Sequence, residues 1–339
     1  MMRLPWFKYH APRSVAEAAH ILAAEGGDAM LIAGGTDLLP NMKRRQQTPA
    51  TLVSLRQVEG LKRVANGKGL TLGAGLTLSE VVDTPQVRDG YRGLWQAAAQ
   101  VASPHLRNMG TLGGNLCLDT RCLYYNQNED WRRAIDFCMK CDGETCWVAT
   151  RSKRCLAVSS TDTAPALISL GAKVRLISAA GEREIALNDL YRNDGIDYLA
   201  RERGEILTEV ALPDLTGWKS TYWKLRRRGS FDFPLLGVAA AVRTAKDGTV
   251  EEARIVLGAV SSQPLLTVAG DLLVGAKLTD EAIAAAGKKA GAVAKPMDNA
   301  DLDLYWRKDV VAEFVAYALR ELRGDDMRDT RMRITRQLL

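Results

Sequence analysis

Six cysteines, Cys117, Cys122, Cys138, Cys141, Cys146 and Cys155, fall within one short stretch of a 339-residue chain and nowhere else in it. From Cys122 onward they are separated by fifteen, two, four and eight residues. Disulfides are a poor fit, because no cysteine lies outside the cluster to staple a distant element and the chain opens without the apolar core of a secretory signal. Four thiolates at such positions suit a tetrahedral zinc or an iron-sulfur cluster, since an all-sulfur ligand set favours either over hard cations. Spacing alone chooses neither the metal nor the spare cysteine, and Cys138-x2-Cys141 is the first pair that common metal motifs would nominate. Of the three histidines, His10, His20 and His105, none forms part of an HExxH motif, and no GxSxG is present. Bond changes in an organic substrate are therefore expected elsewhere.

The second chemical feature is a pair of glycine loops, Ile32-Ala33-Gly34-Gly35-Thr36 and Thr111-Leu112-Gly113-Gly114-Asn115. Glycine allows the backbone to approach a ligand closely, so that successive amides can converge on a phosphate oxygen, with the Thr36 or Thr111 hydroxyl assisting. One such loop is indistinguishable from a folding turn. Neither has the GxGxxG spacing of a nicotinamide-binding domain, and no GxxxxGK[ST] occurs. Two diphosphate-competent loops in different parts of the chain fit a long dinucleotide lying in a cleft between them.

The elements that must position these loops can be read from hydrophobic periodicity and punctuation. Ser14 caps a predicted helix from Val15 to Glu25, with Glu17 completing a capping box. A buried strand then opens into the first glycine loop, a short helix begins at Thr36 or Asp37, and Thr51 to Ser54 is a further strand. Short strands with glycine turns follow to about Leu212, with a helix over Tyr91 to Val101. After Pro213, two alternating strands, Gly237 to Thr244 and Val250 to Val260, precede helices at Asp280 to Ala292 and Val310 to Leu322. The boundaries predicted are 1–55 and 56–215 for two cofactor-binding subdomains, with an insertion at about 119–158, then 216–324 for a C-terminal domain and 325–339 for a basic tail. At 37.1 kDa the chain is large enough for several cores. The net charge of +6 gathers in knots such as Lys43 to Arg45, Arg226 to Arg228 and Arg331 to Arg336. With acidic residues mixed along the rest and no recognition module, a protein partner or an anionic cofactor is expected before nucleic acid. No run reaches the roughly 20 apolar residues of a membrane span, and a cytoplasmic protein is expected.

The ordered motifs AGGTDLL, RNMGTLGGN, STDTAPALISLGA, EILTEVALP and WKLRRRGSFDFPLLGVAAAV resemble the FAD-binding subunit of the xanthine oxidase family of molybdenum hydroxylases. The resemblance runs from residue 3 to about 322. It implies an α+β protein, with the FAD-binding fold of the vanillyl-alcohol oxidase/CO dehydrogenase flavoprotein type (two α/β FAD-binding subdomains) and a C-terminal α+β domain. It further implies that Leu31, Ile32, Ala33, Gly34, Gly35, Thr36 and Asp37 hold the pyrophosphate, and that Thr111, Gly113, Gly114 and Asn115 belong to the second loop. Asp162 matches an acidic residue near the flavin, Leu207 an apolar contact and Lys224 a lysine near the ring edge; helix capping, core and surface are their ordinary alternatives. Val101 and His105 flank the second loop as further candidate contacts.

Where most family members run almost directly from a TLGGNLC-like loop into an SSTDTAPAL-like segment, this chain interposes about 40 residues. A loop of that length needs a crosslink or a core of its own. The insertion resembles that of the 4-hydroxybenzoyl-CoA reductases, which implies a [4Fe-4S] cluster on Cys122, Cys138, Cys146 and Cys155, with Cys141 a bystander. By that likeness a low-potential ferredoxin would feed the cluster, then FAD, then [2Fe-2S] centres of a small partner subunit and a molybdenum cofactor on another, in a heterotrimer doubled to a heterohexamer. Tyr124, Tyr125, Trp131, Phe137 and Trp147 would pack over the cluster or meet a partner, and Arg132, Arg133, Lys140, Arg151, Lys153 and Arg154 would steer an acidic donor. The alternatives are the FAD subunit of another molybdenum hydroxylase of CO dehydrogenase or xanthine dehydrogenase type, a zinc-stabilised scaffold, or an independent flavoprotein oxidase.

Overall fold

A computed structural model describes residues 3–336. Strands Lys8–His10, Thr51–Ser54 and Ala29–Ile32 form a small parallel sheet in that spatial order. Parallel strands need crossovers, and helix Val15–Glu25 supplies the first, burying Ala18, Ala19 and Leu22 with Val53 and Ile206. Ser14 caps that helix as the sequence predicts. The reciprocal half of the box differs, because the Glu17 carboxylate accepts from the Arg13 amide at 2.8 Å rather than from Ser14.

The second sheet is antiparallel, in the order Val64–Asn66, Gly69–Gly73, Ile206–Pro213, Lys173–Ser178 and Gly181–Ala186. Helices Leu78–Asp83, Arg92–Ala99 and Thr163–Ser169 share a core with it that includes Leu72, Leu94, Leu167, Val174 and Val210. The third sheet is also antiparallel, in the order Leu265–Thr267, Val250–Gly258, Leu236–Thr244 and Trp218–Leu225. Its faces go to different cores. Val238, Ala240 and Val242 pack with helices Asp280–Val293 and Leu304–Arg323, while Ala239, Ala241 and Tyr222 join the core of the second sheet. A strand alternates apolar and polar residues only when one face is wet. The expected alternation is therefore absent from Gly237 to Val242, where both faces are dry.

Residues 119–158 form a closed loop. Its neck is a pair of backbone hydrogen bonds between Arg121 and Val158, at 2.8 and 2.7 Å. The loop has a small core: Cys122, Tyr125, Cys138, Cys141, Cys155 and Ala157 are buried together, with Tyr124 and Trp147 against them. Trp131 stands 40% exposed beside Tyr124. Two of the cations expected to steer a donor are buried instead. Arg132 donates to the Cys141 sulfur at 2.7 Å and to the Arg44 carbonyl at 2.5 Å, and Lys140 bonds Asp119, Thr120 and the Gly195 carbonyl. Burying a cation requires partners, and these two are occupied in holding the loop to its neighbours.

The basic tail is ordered over helix Arg328–Arg336, while residues 337–339 lie outside the described residues. Arg331 pairs with Glu321, reaches the Thr221 hydroxyl and the Tyr222 carbonyl, and stacks 4.0 Å from the Trp223 ring centroid. Burial pushes the Glu321 carboxyl up, but the hydrogen bond and charge of Arg331 outweigh it and hold the group below its ordinary value of 4.5. Replacing Arg331 with Met should lower the unfolding free energy by about 1–3 kcal/mol, read by urea denaturation. Because the folded value is depressed, this contribution is complete above the ordinary value and fades as the pH falls through the folded one. The gap between wild type and variant should close accordingly.

Candidate functional site

The two glycine loops meet. A Cβ on Gly34 would overlap the Met109 carbonyl oxygen, so the first loop lies against the backbone that leads into the second. Gly35 has a φ of +71°, which an L side chain adopts only under strain. Leu39 donates to the Gly35 carbonyl and Asn41 to that of Asp37, so the turn runs into helix Leu38–Lys43 without using the amides of Gly34, Gly35 and Thr36. The second loop is stitched to the segment before helix Leu78–Asp83, with Gly113 donating to Ala74, Leu112 to Leu76 and Leu78 to Gly110. Thr111 caps helix Leu112–Leu116 by accepting from the Gly114 amide at 3.0 Å. Asn115 is buried, and its side-chain oxygen accepts from the Thr161 hydroxyl and from both the amide and hydroxyl of Thr163. It ties the second loop to the segment carrying Asp162.

Between the loops runs a cleft of about 970 Å³, at the upper end of the range for small-molecule sites. Every residue from Leu31 to Asp37 lines it, as do Val101, Thr111, Gly113, Gly114, Asn115, Asp162 and Leu207. Two candidates lie apart. His105 is exposed and Lys224 is fully buried, and neither lines the cleft. Lys224 stands behind Asp162, with Nζ 2.9 Å from Oδ2, while the Tyr222 hydroxyl donates to Oδ1 at 2.8 Å. Burial pushes the Asp162 carboxyl up and the Lys224 ammonium down, and each opposes that shift in the other. Asp162 occupies the N-cap position of helix Thr163–Ser169 without capping it, because both carboxylate oxygens are engaged in this ion-pair network.

The sequence reading missed Asn41, Arg121, Phe231 and Phe233, which also line the cleft. Phe231 donates its amide to the Ala102 carbonyl at 2.7 Å, and both residues have positive φ. The string RRRGSFDF carried a signal for this loop only as part of a longer resemblance, since no local period marks it. Arg121 carries no sequence signal at all.

A profile of the FAD binding domain in molybdopterin dehydrogenase matches residues 5–215, and one of the CO dehydrogenase flavoprotein C-terminal domain matches residues 220–322. The chain is a member of the molybdopterin dehydrogenase FAD-subunit family. It is 34% identical to the aldehyde oxidoreductase FAD-binding subunit PaoB of Escherichia coli, covering 78% of this chain and 85% of that one. It is 28% identical to the carbon monoxide dehydrogenase medium chain of Hydrogenophaga pseudoflava, covering 93% and 96%. In structure it matches the reconstituted CO dehydrogenase from Oligotropha carboxidovorans with a TM-score of 0.80 at 26% identity, over 95% and 99% of the two chains. The α+β fold of the vanillyl-alcohol oxidase/CO dehydrogenase flavoprotein type is thereby shown, and the chain is the FAD subunit of a molybdenum oxidoreductase-type complex. Among the described residues no helix is long and apolar enough to cross a membrane.

These findings correct one expectation. The relatives and solved structures match FAD medium subunits of the CO dehydrogenase and xanthine dehydrogenase type, not 4-hydroxybenzoyl-CoA reductase. Among the described residues no group of three or more His, Cys, Asp or Glu side chains is arranged to hold a metal ion. The reading of a ferredoxin-fed electron entry that removes a phenolic hydroxyl is withdrawn.

Lys224→Met should destabilise the chain by about 3–5 kcal/mol, because it leaves a buried carboxylate without its cation. Adding Asp162→Asn should recover most of that loss in urea unfolding, and an equal loss in the single and double variants would refute the ion-pair account. Gly34→Ala should separate the loops and release the flavin, giving a colourless protein on purification where the wild type is expected to be yellow.

Proposed function

We propose that this chain holds FAD between the two glycine loops and passes electrons between a molybdenum-cofactor subunit and an acceptor, as the flavin subunit of a hydroxylase or dehydrogenase of the CO dehydrogenase or xanthine dehydrogenase type. The convergence of both loops and Asp162 on one elongated cleft is the observation that carries this reading. FAD, when bound, exchanges two-electron for one-electron transfer. The residues of this chain supply the binding and the environment. Glycine-loop amides meet the diphosphate, Asp162 presents a carboxylate fixed by Lys224 and Tyr222, and Leu207 and Val101 close apolar surface over the ligand. The partners in this proposal are a molybdenum-cofactor subunit and a small [2Fe-2S] subunit, in a heterotrimer doubled to a heterohexamer. The relatives named as medium chains and FAD subunits support that composition.

The insertion adds a second element to the proposal: Cys122, Cys138, Cys146 and Cys155, which are not drawn together as a metal site in this structure, would close onto a [4Fe-4S] cluster. All four thiols are buried. Burial pushes Cys122 up to about 12, and the charges of Cys155 and Cys138 add to that rise. Cys155 is pushed up to about 11 by burial, with Cys146 and Cys138 contributing, and Cys138 in turn feels Cys146. Each of the four is thus an electrostatic neighbour of at least two others. Cys141 is otherwise engaged, with Arg132 and Asp142 at its sulfur. A cationic cluster core in place of the thiol protons relieves this mutual repulsion.

Anaerobic analysis of FAD, iron, acid-labile sulfide and zinc per chain tests both elements. One FAD is expected, with four irons and four sulfides that are lost together in Cys146→Ser and retained in Cys141→Ser. Flavin without iron would reject the cluster and leave the flavin role intact. Absence of flavin from freshly purified complex would reject the main reading.

A further inference from the structure

Arg121 is the residue at which the cysteine-rich insertion enters the flavin cleft. It forms the neck of the insertion through its backbone, and its side chain lines the cleft between the loops. The residue is 6% exposed. One terminal nitrogen, Nη1, donates to the Asn41 side-chain oxygen at 3.0 Å, and the other, Nη2, pairs with Asp37 at the end of the first glycine loop. The guanidinium lies 5.2 Å from the Phe233 ring centroid. Its Nε–H is buried and has no hydrogen-bond partner among the described residues. A buried guanidinium donor left without an acceptor is rare, because its desolvation is uncompensated.

Charge adds a second consideration. The first glycine loop ends on Asp37, whose carboxylate is only 27% exposed and would repel a diphosphate at the neighbouring amides. Arg121 neutralises Asp37 and still has its buried Nε–H to offer. The other acid nearby, Asp119, is already matched by Lys140 at 2.8 Å and takes a hydrogen bond from Tyr125. A planar guanidinium held at both terminal nitrogens keeps its third donor direction fixed, which suits a phosphate oxygen.

We propose that Arg121 anchors the cofactor by donating its Nε–H to the diphosphate bridge of the dinucleotide, so that the insertion contributes a residue to the FAD site. The inference rests on the flavin reading above. It also links the two halves of the molecule, since a ligand held partly by the neck of the insertion stabilises that neck by the same amount that the neck strengthens the ligand.

The test uses the full-length chain freed of flavin and titrated with three probes: FAD, ADP, which carries the diphosphate without the flavin, and riboflavin, which carries the flavin without phosphate. Arg121→Gln should weaken FAD and ADP about tenfold to a hundredfold, the loss of one charge-assisted hydrogen bond, and leave riboflavin unchanged. The double variant Asp37→Asn with Arg121→Gln removes the uncompensated carboxylate and should stay equally weak, while its thermal unfolding without flavin reports that the fold is retained. Wild-type FAD affinity in Arg121→Gln, or its recovery in the double variant, would overturn the proposal, the second outcome reducing Arg121 to a counter-ion for Asp37. A wild-type chain that binds neither FAD nor ADP would overturn the flavin reading and this inference with it.

Discussion

Gly34 lies against the carbonyl of Met109, and nothing larger than a hydrogen fits between them. That contact brings a turn after the first sheet to a turn leading out of the helical cover of the second, and the cleft exists only because both turns face the same space. A backbone can approach a backbone this closely only where no Cβ intervenes. The rest of the site is arranged around the contact. Gly113, Leu112 and Leu78 fix the second loop by backbone bonds, and Asn115 gathers three donors that hold Asp162 at the cleft wall.

The third sheet is joined to this arrangement by charge as well as by packing. Lys224 and Tyr222 leave one strand to grip the same carboxylate, so a residue lining the cofactor cleft is oriented from a sheet whose far face packs on the C-terminal helices. A buried ion pair is seldom a net gain over well-packed apolar residues, but breaking one side of it is costly. Its worth here is geometric. The neighbouring strand Leu236–Thr244 adds only the small side chains of Ala239 and Ala241 to the core shared with the second sheet.

The insertion is held by polar ties at its edges and by sulfur and aromatic rings at its centre. Its neck closes through Arg121 and Val158, and Asn299 of the C-terminal region takes the Leu123 amide and donates to the Leu156 carbonyl. Arg132 and Lys140, which read in sequence as surface charge, are consumed as internal ties to backbone carbonyls, a sulfur and a carboxylate. The loop is thereby tied to Arg44, Gly195 and Asn299 outside it, and its five cysteines are buried.

The sequence by itself determined the family and the two glycine loops that face the cleft, because those depend on local signals. Paired glycines, a serine cap and apolar periodicity act over a few residues and are visible in a string, and the resemblance that followed them named Asp162 and Leu207, both of which line the cleft. The substrate assignment drawn from the insertion failed, since the relatives matched are FAD subunits of the CO dehydrogenase and xanthine dehydrogenase type. What only the tertiary structure decided are the contacts between residues far apart in the chain: Lys224 behind Asp162 rather than in the cleft, His105 facing solvent, both faces of strand Leu236–Thr244 dry, and Arg121 entering beside Asp37 with one donor free. Each depends on which surfaces meet when the sheets pack. No pattern of neighbouring residues encodes that, because the partners are 62 and 84 positions apart in the ion pairs concerned.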